Sequence, residues 1–118
     1  MAKQRFTLGK QLQKLLEECD EEIKEEWDNV LRKYTSLILE DAVRNVPVKT
    51  GYLQGSIQYE FLYGGTRSKI WAGAEYAYIV EHGNSSRYPK PFLHPAFDKY
   101  KDDFLAEAQK ILDDILRH

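Results

Sequence analysis

The residues best suited to metal chemistry are Glu81, His82 and His94. Zinc sites normally need three or four well-spaced ligands, and carboxylate and imidazole groups both serve. Glu81 and His82 are adjacent, however, and adjacent side chains point apart on a helix and on a strand. We therefore expect no metal site and interpret Glu81 as a structural carboxylate that accepts backbone or hydroxyl hydrogen bonds. A small metal-dependent hydrolase built on these three residues is an alternative functional hypothesis.

Three further features could support catalysis or nucleotide binding, and each has a simpler interpretation. Cys19 lies on an apolar helical stripe with no histidine near it in sequence, so we interpret it as a small core residue. Ser85-Ser86 lacks the motif of a serine nucleophile. Gly64-Gly65-Thr66 lacks the Lys-Ser/Thr ending of a phosphate-binding loop. We therefore expect no enzyme activity and no cofactor.

Aromatic residues are frequent, with eight tyrosines and two tryptophans in the chain. Such side chains pack in cores, anchor protein–protein interfaces or stack on single-stranded bases. Residues 43–95 hold six basic and three acidic side chains, which falls short of the clustered basic face of a duplex-binding protein. We expect core and interface roles, and nucleic acid is the weaker alternative. The residues considered for base stacking are Tyr59, Tyr63, Trp71, Tyr76 and Tyr78, with Arg67, Lys69, Arg87 and Lys90.

Length and composition indicate one soluble globular domain over residues 1–118, with residues 1–19 as a possible separate short helix or arm. The chain is 42% hydrophobic and 31% charged, with a net charge of −2, which is typical of a folded protein. No apolar run approaches the roughly 18 residues that a membrane span needs. The N-terminus has no apolar segment like that of a signal peptide. A single cysteine excludes an internal disulfide and is consistent with a reducing cytosol.

The N-terminal third predicts a long helical region. Apolar residues recur at helical spacing from Leu8, and Thr7 is a plausible N-cap. The acidic run that follows would place like charges four residues apart inside one helix, which is unfavourable. We therefore predict a break near Cys19–Asp20, with Asp20 capping a second helix over 21–45 that Pro47 ends. One continuous helix over 8–45 is the alternative.

The rest of the chain predicts a small antiparallel sheet and a last helix, which makes the fold class α+β. Residues 46–57 read as a loop, 56–74 as a β-hairpin, and 76–82 as a short helix or a third strand, with a helix favoured. The proline arm, residues 87–94, should be extended and should either pin the last helix or reach a neighbour. That helix should run over 95–117 with Pro95 as its first residue. A sheet of only two strands is marginally stable. We therefore expect a third strand, which a neighbouring subunit could supply.

Two motifs carry a family resemblance. They are PVKTGYLQGSI (residues 47–57), and YAYIVEHG (residues 76–83) followed by PFLHPA (residues 91–96). Together they resemble the "gene product ten" family of lambdoid tailed phages, over about residues 20–118. Asn84 stands where that family usually has threonine, and the loop after it carries Arg87 and Lys90. The matching motif residues are Pro47, Thr50, Gly51, Leu53, Ser56, Tyr76, Ala77, Glu81 and Gly83.

The resemblance implies a non-enzymatic virion protein, made in the bacterial cytoplasm and located in the neck or tail. Its implied role is tail completion or head–tail joining, as a subunit of a homo-oligomeric ring that contacts the connector, tail terminator or tail tube. Thr50 and Gly51 would set the turn into the first strand, and Glu81 would fix the Gly83 loop. The candidate interface residues are Arg67, Trp71, Arg87, Tyr88, Lys90, Phe92, Leu93 and Pro95.

Overall fold

A computed structural model describes residues 3–6, 10–47, 51–62 and 64–117, and it confirms the α+β class. The predicted roles of Thr7, Leu8, Thr50 and Tyr63 fall outside the described residues. The molecule is elongated, with extents of 55 × 22 × 22 Å. Its elements are β1 (Lys3–Phe6), α1 (Lys10–Glu18), α2 (Glu21–Asn45), α3 (Gly51–Gly55), β2 (Ile57–Leu62), β3 (Arg67–Ala72), α4 (Ala77–His82) and α5 (Leu93–Leu116).

The break between α1 and α2 lies where the acidic run predicts it. α1 ends at Glu18 and α2 begins at Glu21, so the alternative of one continuous helix is wrong. Asp20 occupies the N-cap position with an extended backbone, but its side chain makes no capping hydrogen bond. Its carbonyl oxygen accepts the N–H groups of Ile23 and Lys24, both at 3.1 Å. Two glutamates then face the positive end of the helix dipole in the first turn.

Helix α2 packs antiparallel to α5, and this pair forms the centre of the core. Trp27 and Tyr34 meet Phe104 edge to face, with ring centroids 5.9 and 5.7 Å apart. Near the other end of the pair, Lys99 lies 3.4 Å from the carboxylate of Asp41. Helix α2 buries an apolar stripe at helical spacing, formed by Ile23, Trp27, Leu31, Tyr34, Ile38 and Ala42. The stripe on α5 is less complete, since Leu105 and Leu116 are exposed.

The sheet has the strand order β1-β3-β2, and both pairings are antiparallel. The predicted hairpin is confirmed, with Gly64 and Gly65 at positive φ in its turn. The expected third strand is confirmed, and it is β1 of the same chain rather than a strand from a neighbouring subunit. Along β3, Ser68, Ile70 and Ala72 are buried beneath the helices. The opposite face of β3 carries Arg67, Lys69 and Trp71.

Two predicted boundaries need correction. Residues 51–55 form the short helix α3 rather than a loop, because buried Leu53 gives this turn an anchor in the core. Helix α5 begins at Leu93 rather than Pro95, so only residues 87–92 of the proline arm lie outside the helix. Pro95 is tolerated at the third helical position because the first N–H groups of a helix have no partner within it. The short helix predicted at 76–82 is confirmed as α4.

The hydroxyl of Tyr34 donates a hydrogen bond to the carboxylate of Glu107, which links α2 to α5. This bond raises the pKa of Tyr34 to about 12 and lowers the pKa of Glu107 below its ordinary value. A carboxyl group with a lowered pKa in the folded state stabilises the fold above its unfolded pKa. That contribution is lost as the pH falls through its folded pKa.

We therefore expect Tyr34→Phe to lower the free energy of unfolding by about 1 kcal/mol at pH 7. The difference from wild type should shrink as acidification protonates Glu107. Urea unfolding from pH 7 into the acid range measures this, with Tyr78→Phe, an exposed tyrosine, as the control. A deficit that is independent of pH would mean that packing, and not the bond to Glu107, carries the effect.

Candidate functional site

The carboxylate of Glu81 joins α4 to the beginning of α5. Glu81 is only 4% exposed, and it lies on the inward face of α4 with Ala77 and Val80. Its Oε1 accepts the backbone N–H groups of Phe92 and Leu93 at 3.2 and 2.9 Å. Its Oε2 accepts the N–H of His94 at 3.2 Å. These are N–H groups at the start of α5 that have no partner within the helix, and the positive end of the helix dipole favours the negative charge.

Glu81 therefore accepts backbone hydrogen bonds, as its interpretation from sequence anticipates, but from the start of α5 rather than from the Gly83 loop. Backbone bonds hold that loop. The N–H of Gly83 donates to Ile79 O at 2.7 Å, and the N–H of Lys90 donates to Val80 O at 2.8 Å. Asn84 and Arg87 exchange two backbone bonds across the turn, at 3.0 and 3.3 Å.

Gly83 is the position where the loop depends on glycine. Its φ is +74°, and a Cβ atom there would lie 2.8 Å from the carbonyl oxygen of Arg87 and 2.9 Å from Pro89. Both the backbone conformation and the lack of space exclude a side chain. The chain can therefore reverse directly after α4 and bring the proline arm back against it.

The residues considered for metal or nucleophilic chemistry are not assembled into a site. His82 is exposed and stacks on Tyr78, with ring centroids 4.4 Å apart, whereas His94 Nε2 lies 3.3 Å from Asp98. No group of three or more potential metal ligands occurs among the described residues. The thiol of Cys19 donates to Leu16 O at 3.1 Å, and burial raises its pKa, which disfavours the reactive thiolate.

The eight predicted interface residues lie in three different environments. Phe92 and Leu93 are fully buried, so they pin the arm within this chain and are not available to a neighbour in this fold. Arg67 and Trp71 are half-buried on the face of β3 that points away from the buried Ile70. The Nζ of the neighbouring Lys69 lies 4.5 Å from the centroid of the Trp71 ring. The exposed members are Arg87, Tyr88, Lys90 and Pro95.

The tip of the proline arm is the most accessible of these sites. Tyr88 is 90% exposed, between the exposed side chains of Arg87 and Lys90. Pro89 and Pro91 restrict the backbone on either side of Lys90. The arm thus presents an aromatic ring and two cations on a segment whose ends are fixed by Gly83 and by Glu81.

The remaining motif residues lie in and around α3, after α2 and before α4. Leu53 O accepts the hydroxyl of Ser56 at 2.7 Å, and this bond ends α3 where β2 begins. Gly51 is the first residue of α3, the single helical turn before β2, and does not take a positive φ, so its role in the turn into the first strand stays a prediction. The rings of Tyr52 and Tyr76 lie 6.2 Å apart. Pro47 is half-buried directly after the end of α2.

Sequence reasoning missed a buried polar contact between α2 and β3. The hydroxyl groups of Thr35 and Ser68 lie 2.7 Å apart, and Thr35 also donates to Leu31 O at 2.7 Å. Both residues are buried. The available signal was their spacing, because Ser68 shares a strand face with Ile70, and Thr35 lies four residues after the buried Leu31.

We expect Glu81→Gln to lower the free energy of unfolding by about 1–2 kcal/mol, since one acceptor oxygen is lost from a buried cap. Glu81→Ala should lower the free energy of unfolding further, because all three N–H groups then lose their hydrogen-bond acceptor. Urea unfolding at pH 7 measures both, with Glu75→Gln on an exposed glutamate as the matched control. Unchanged stability of Glu81→Gln would contradict the capping role.

We expect Gly83→Ala to destabilise the protein more than Gly64→Ala. Both glycines have positive φ, but a Cβ at Gly64 meets nothing within 4 Å. Gly64→Ala should therefore cost only the backbone strain, about 1 kcal/mol, and Gly83→Ala adds a clash with the backbone of the arm. Thermal unfolding of the two variants separates the backbone strain from the clash of the added Cβ atom. Equal losses of stability in both variants would show that the close approach at Gly83 is unimportant.

The comparisons with known proteins identify the family. The family described as "Bacteriophage HK97-gp10, putative tail-component" matches residues 7–83, which is more than half of the chain. The match includes the first motif and ends at Gly83, so the proline arm and α5 lie beyond it. No curated protein and no solved structure matches the chain. The chain belongs to the HK97-gp10-like family of phage tail components.

Proposed function

We propose that this protein is a tail-completion or head–tail joining subunit of a tailed phage or prophage, without catalytic activity. The family membership supports a structural role in the tail. No helix in the described part of the chain is long and apolar enough to cross a membrane. The subunit would be made in the host cytoplasm and would function in the neck or tail of the virion.

The observation that carries this proposal is the exposed tip of the proline arm, a segment whose two ends are held by hydrogen bonds. Tyrosine and arginine are over-represented among the residues that dominate binding energy at interfaces. Tyr88 and Arg87 occupy a segment that the Lys90–Val80 backbone bond and the Glu81 cap hold in place. A pre-ordered segment loses less conformational entropy on binding than a flexible one.

We propose that the arm contacts another virion protein, such as the connector, the tail terminator or the tail tube, or the next copy in a ring. Head-to-tail interfaces close into rings when the rotation between subunits allows it. A ring subunit needs two different contact surfaces, and an elongated molecule of 55 Å offers well-separated ends. Two cations at the arm tip favour an acidic partner surface.

Binding of single-stranded nucleic acid is less well supported by the geometry. Tyr59 pairs with Ile70 in the sheet, whereas Trp71 lies one residue further along β3. Their side chains therefore point to opposite faces of the sheet. Successive bases stack on aromatic side chains that line one groove, and these two rings do not form such a platform. A metal-dependent hydrolase is disfavoured by the separate environments of His82 and His94.

The first experiment is deletion of the reading frame in the parent phage or prophage, followed by electron microscopy of the induced lysate. We expect filled heads separated from tails, or tails of abnormal length, and restoration of infectivity by the wild-type gene in trans. Intact infectious particles from the deletion strain would overturn the structural role.

Complementation with variants then tests the arm. We expect Tyr88→Ala to reduce the titre of infectious particles by about tenfold or more, as loss of an interface anchor does to affinity. Tyr52→Ala is the matched control, because Tyr52 is 71% exposed and lies outside the arm. Full complementation by Tyr88→Ala would show that the arm tip is not part of the interface.

A further inference from the structure

Strand β2 is an edge strand whose helix-facing side chains are only partly covered. Its residues 57, 59 and 61 pair with the buried residues Ala72, Ile70 and Ser68 of β3, so they point to the same side of the sheet as those residues. Tyr59 is nevertheless 54% exposed, and Ile57 and Phe61 are half-buried. The helices cover β3 but leave part of β2 open.

A groove of about 440 Å³ marks the open region. Tyr59 and Phe61 form one wall, with ring centroids 5.9 Å apart. The other wall is α2, where the Arg32 guanidinium lies 4.6 Å from the centre of the Phe61 ring. The α2 residues that line the groove are Arg32, Thr35, Ser36, Leu39 and Glu40.

The backbone of β2 is also open on this edge. The N–H of Gly73 donates to Ser56 O at 2.9 Å, which makes positions 56 and 73 a hydrogen-bonded pair of the antiparallel ladder. Because such pairs alternate with pairs that do not exchange hydrogen bonds, residues 58, 60 and 62 bond to β3. The N–H and C=O groups of residues 57, 59 and 61 therefore point outward.

We propose that a second copy of this chain docks on this edge, with the two β2 strands antiparallel about a two-fold axis at Tyr59. Tyr59 then pairs with Tyr59 of the second copy, and Ile57 pairs with Phe61 of the second copy. These are the residues with outward N–H and C=O groups, so the register forms a complete ladder. On the other face of the sheet, Gln58 opposes Glu60 of the second copy, and its amide can donate to the carboxylate.

The charges on α2 match the same axis. The Arg32 guanidinium lies at the level of Phe61, and α2 runs from the hairpin turn, where Trp27 donates to Thr66 O, towards the start of β2. Because α2 rises about 1.5 Å per residue and β2 about 3.4 Å, Ser36 lies near the level of Tyr59 and Glu40 near that of Ile57. A two-fold axis at Tyr59 then brings Arg32 of one copy opposite Glu40 of the other, with Ser36 close to the axis. Within the described residues Arg32 pairs with Asp28 at 2.9 Å, and Glu40 has no ion pair.

The spacing of the helices is compatible with this arrangement. Helix α2 packs on both β2 and β3, so its axis lies near the space between these two strands. Adding a second β2 at about 4.8 Å places the two α2 axes about 10 Å apart, which is a normal distance for packed helices. The two copies would share a six-stranded sheet, and the apolar side chains of both β2 strands would fill the groove between the helices.

Analytical ultracentrifugation of the full-length protein, combined with charge exchange, tests this pairing. We expect wild type to sediment as a dimer, and we expect Glu40→Arg or Arg32→Glu to weaken dimerisation about tenfold or more, because each variant creates two like-charge contacts. The double variant should restore the dimer. Glu25→Arg, on an exposed glutamate of α2 outside the groove, should have no effect on dimerisation.

Two outcomes would overturn the proposal. One is a wild-type protein that is monomeric up to about 100 µM, far above typical Kd values for stable dimers. The other is a dimer that neither single charge exchange weakens.

A cross-link gives a second measurement that does not depend on the charged residues. In a Cys19→Ser background, Tyr59→Cys places two cysteines opposite each other with Cα atoms about 5.5 Å apart, a distance that a disulfide can span. Under mild oxidation we expect rapid formation of a covalent dimer. Tyr78→Cys, at a tyrosine of similar exposure on α4, should cross-link only slowly. Equal rates for the two variants would overturn the proposed axis.

Discussion

The position of α5 depends on one buried carboxylate. Taking the charge of Glu81 out of water is costly unless hydrogen bonds replace its hydration, and three N–H groups at the start of α5 provide them. The same bonds fix the end of the proline arm, whose Phe92 and Leu93 are buried beside the cap. Because α5 then packs along α2, the Glu81 cap links the loop after α4 to the centre of the core.

The two long helices also determine which parts of the sheet remain open. Helices α2 and α5 lie side by side, with α2 on β2 and β3 and α5 on β1. The inner strand β3 is therefore covered best, whereas β2 is an edge strand packed by α2 and is covered only in part. The exposed ring of Tyr59 is thus a consequence of layer geometry and not of a polar strand sequence.

The features predicted correctly from the sequence are those with a local cause. The apolar stripe and Pro47 define α2, and the glycine pair at 64–65 defines the hairpin turn. Helix α5 begins earlier than predicted because its cap comes from Glu81, more than ten residues away and on another element. Strand β1 was missed because a segment as short as Lys3–Phe6 has no periodic pattern and forms only by pairing with β3. The exposure of Tyr59 could not be predicted, because alternation identifies the face of a strand but not whether a helix covers it.

The two proposed contact surfaces share no residues, and this separation matters for assembly. The arm tip is carried by the segment between α4 and α5, whereas the pairing surface belongs to β2 and the middle of α2. A two-fold pair formed through β2 would therefore keep two arm tips, each still held by its own Glu81 cap. Two linked binding segments engage a repeating partner with a higher effective concentration than one. A phage neck or tail presents its proteins in symmetric repeats. Pairing through β2 would therefore strengthen binding by the arms without any additional contact between an arm and its partner protein.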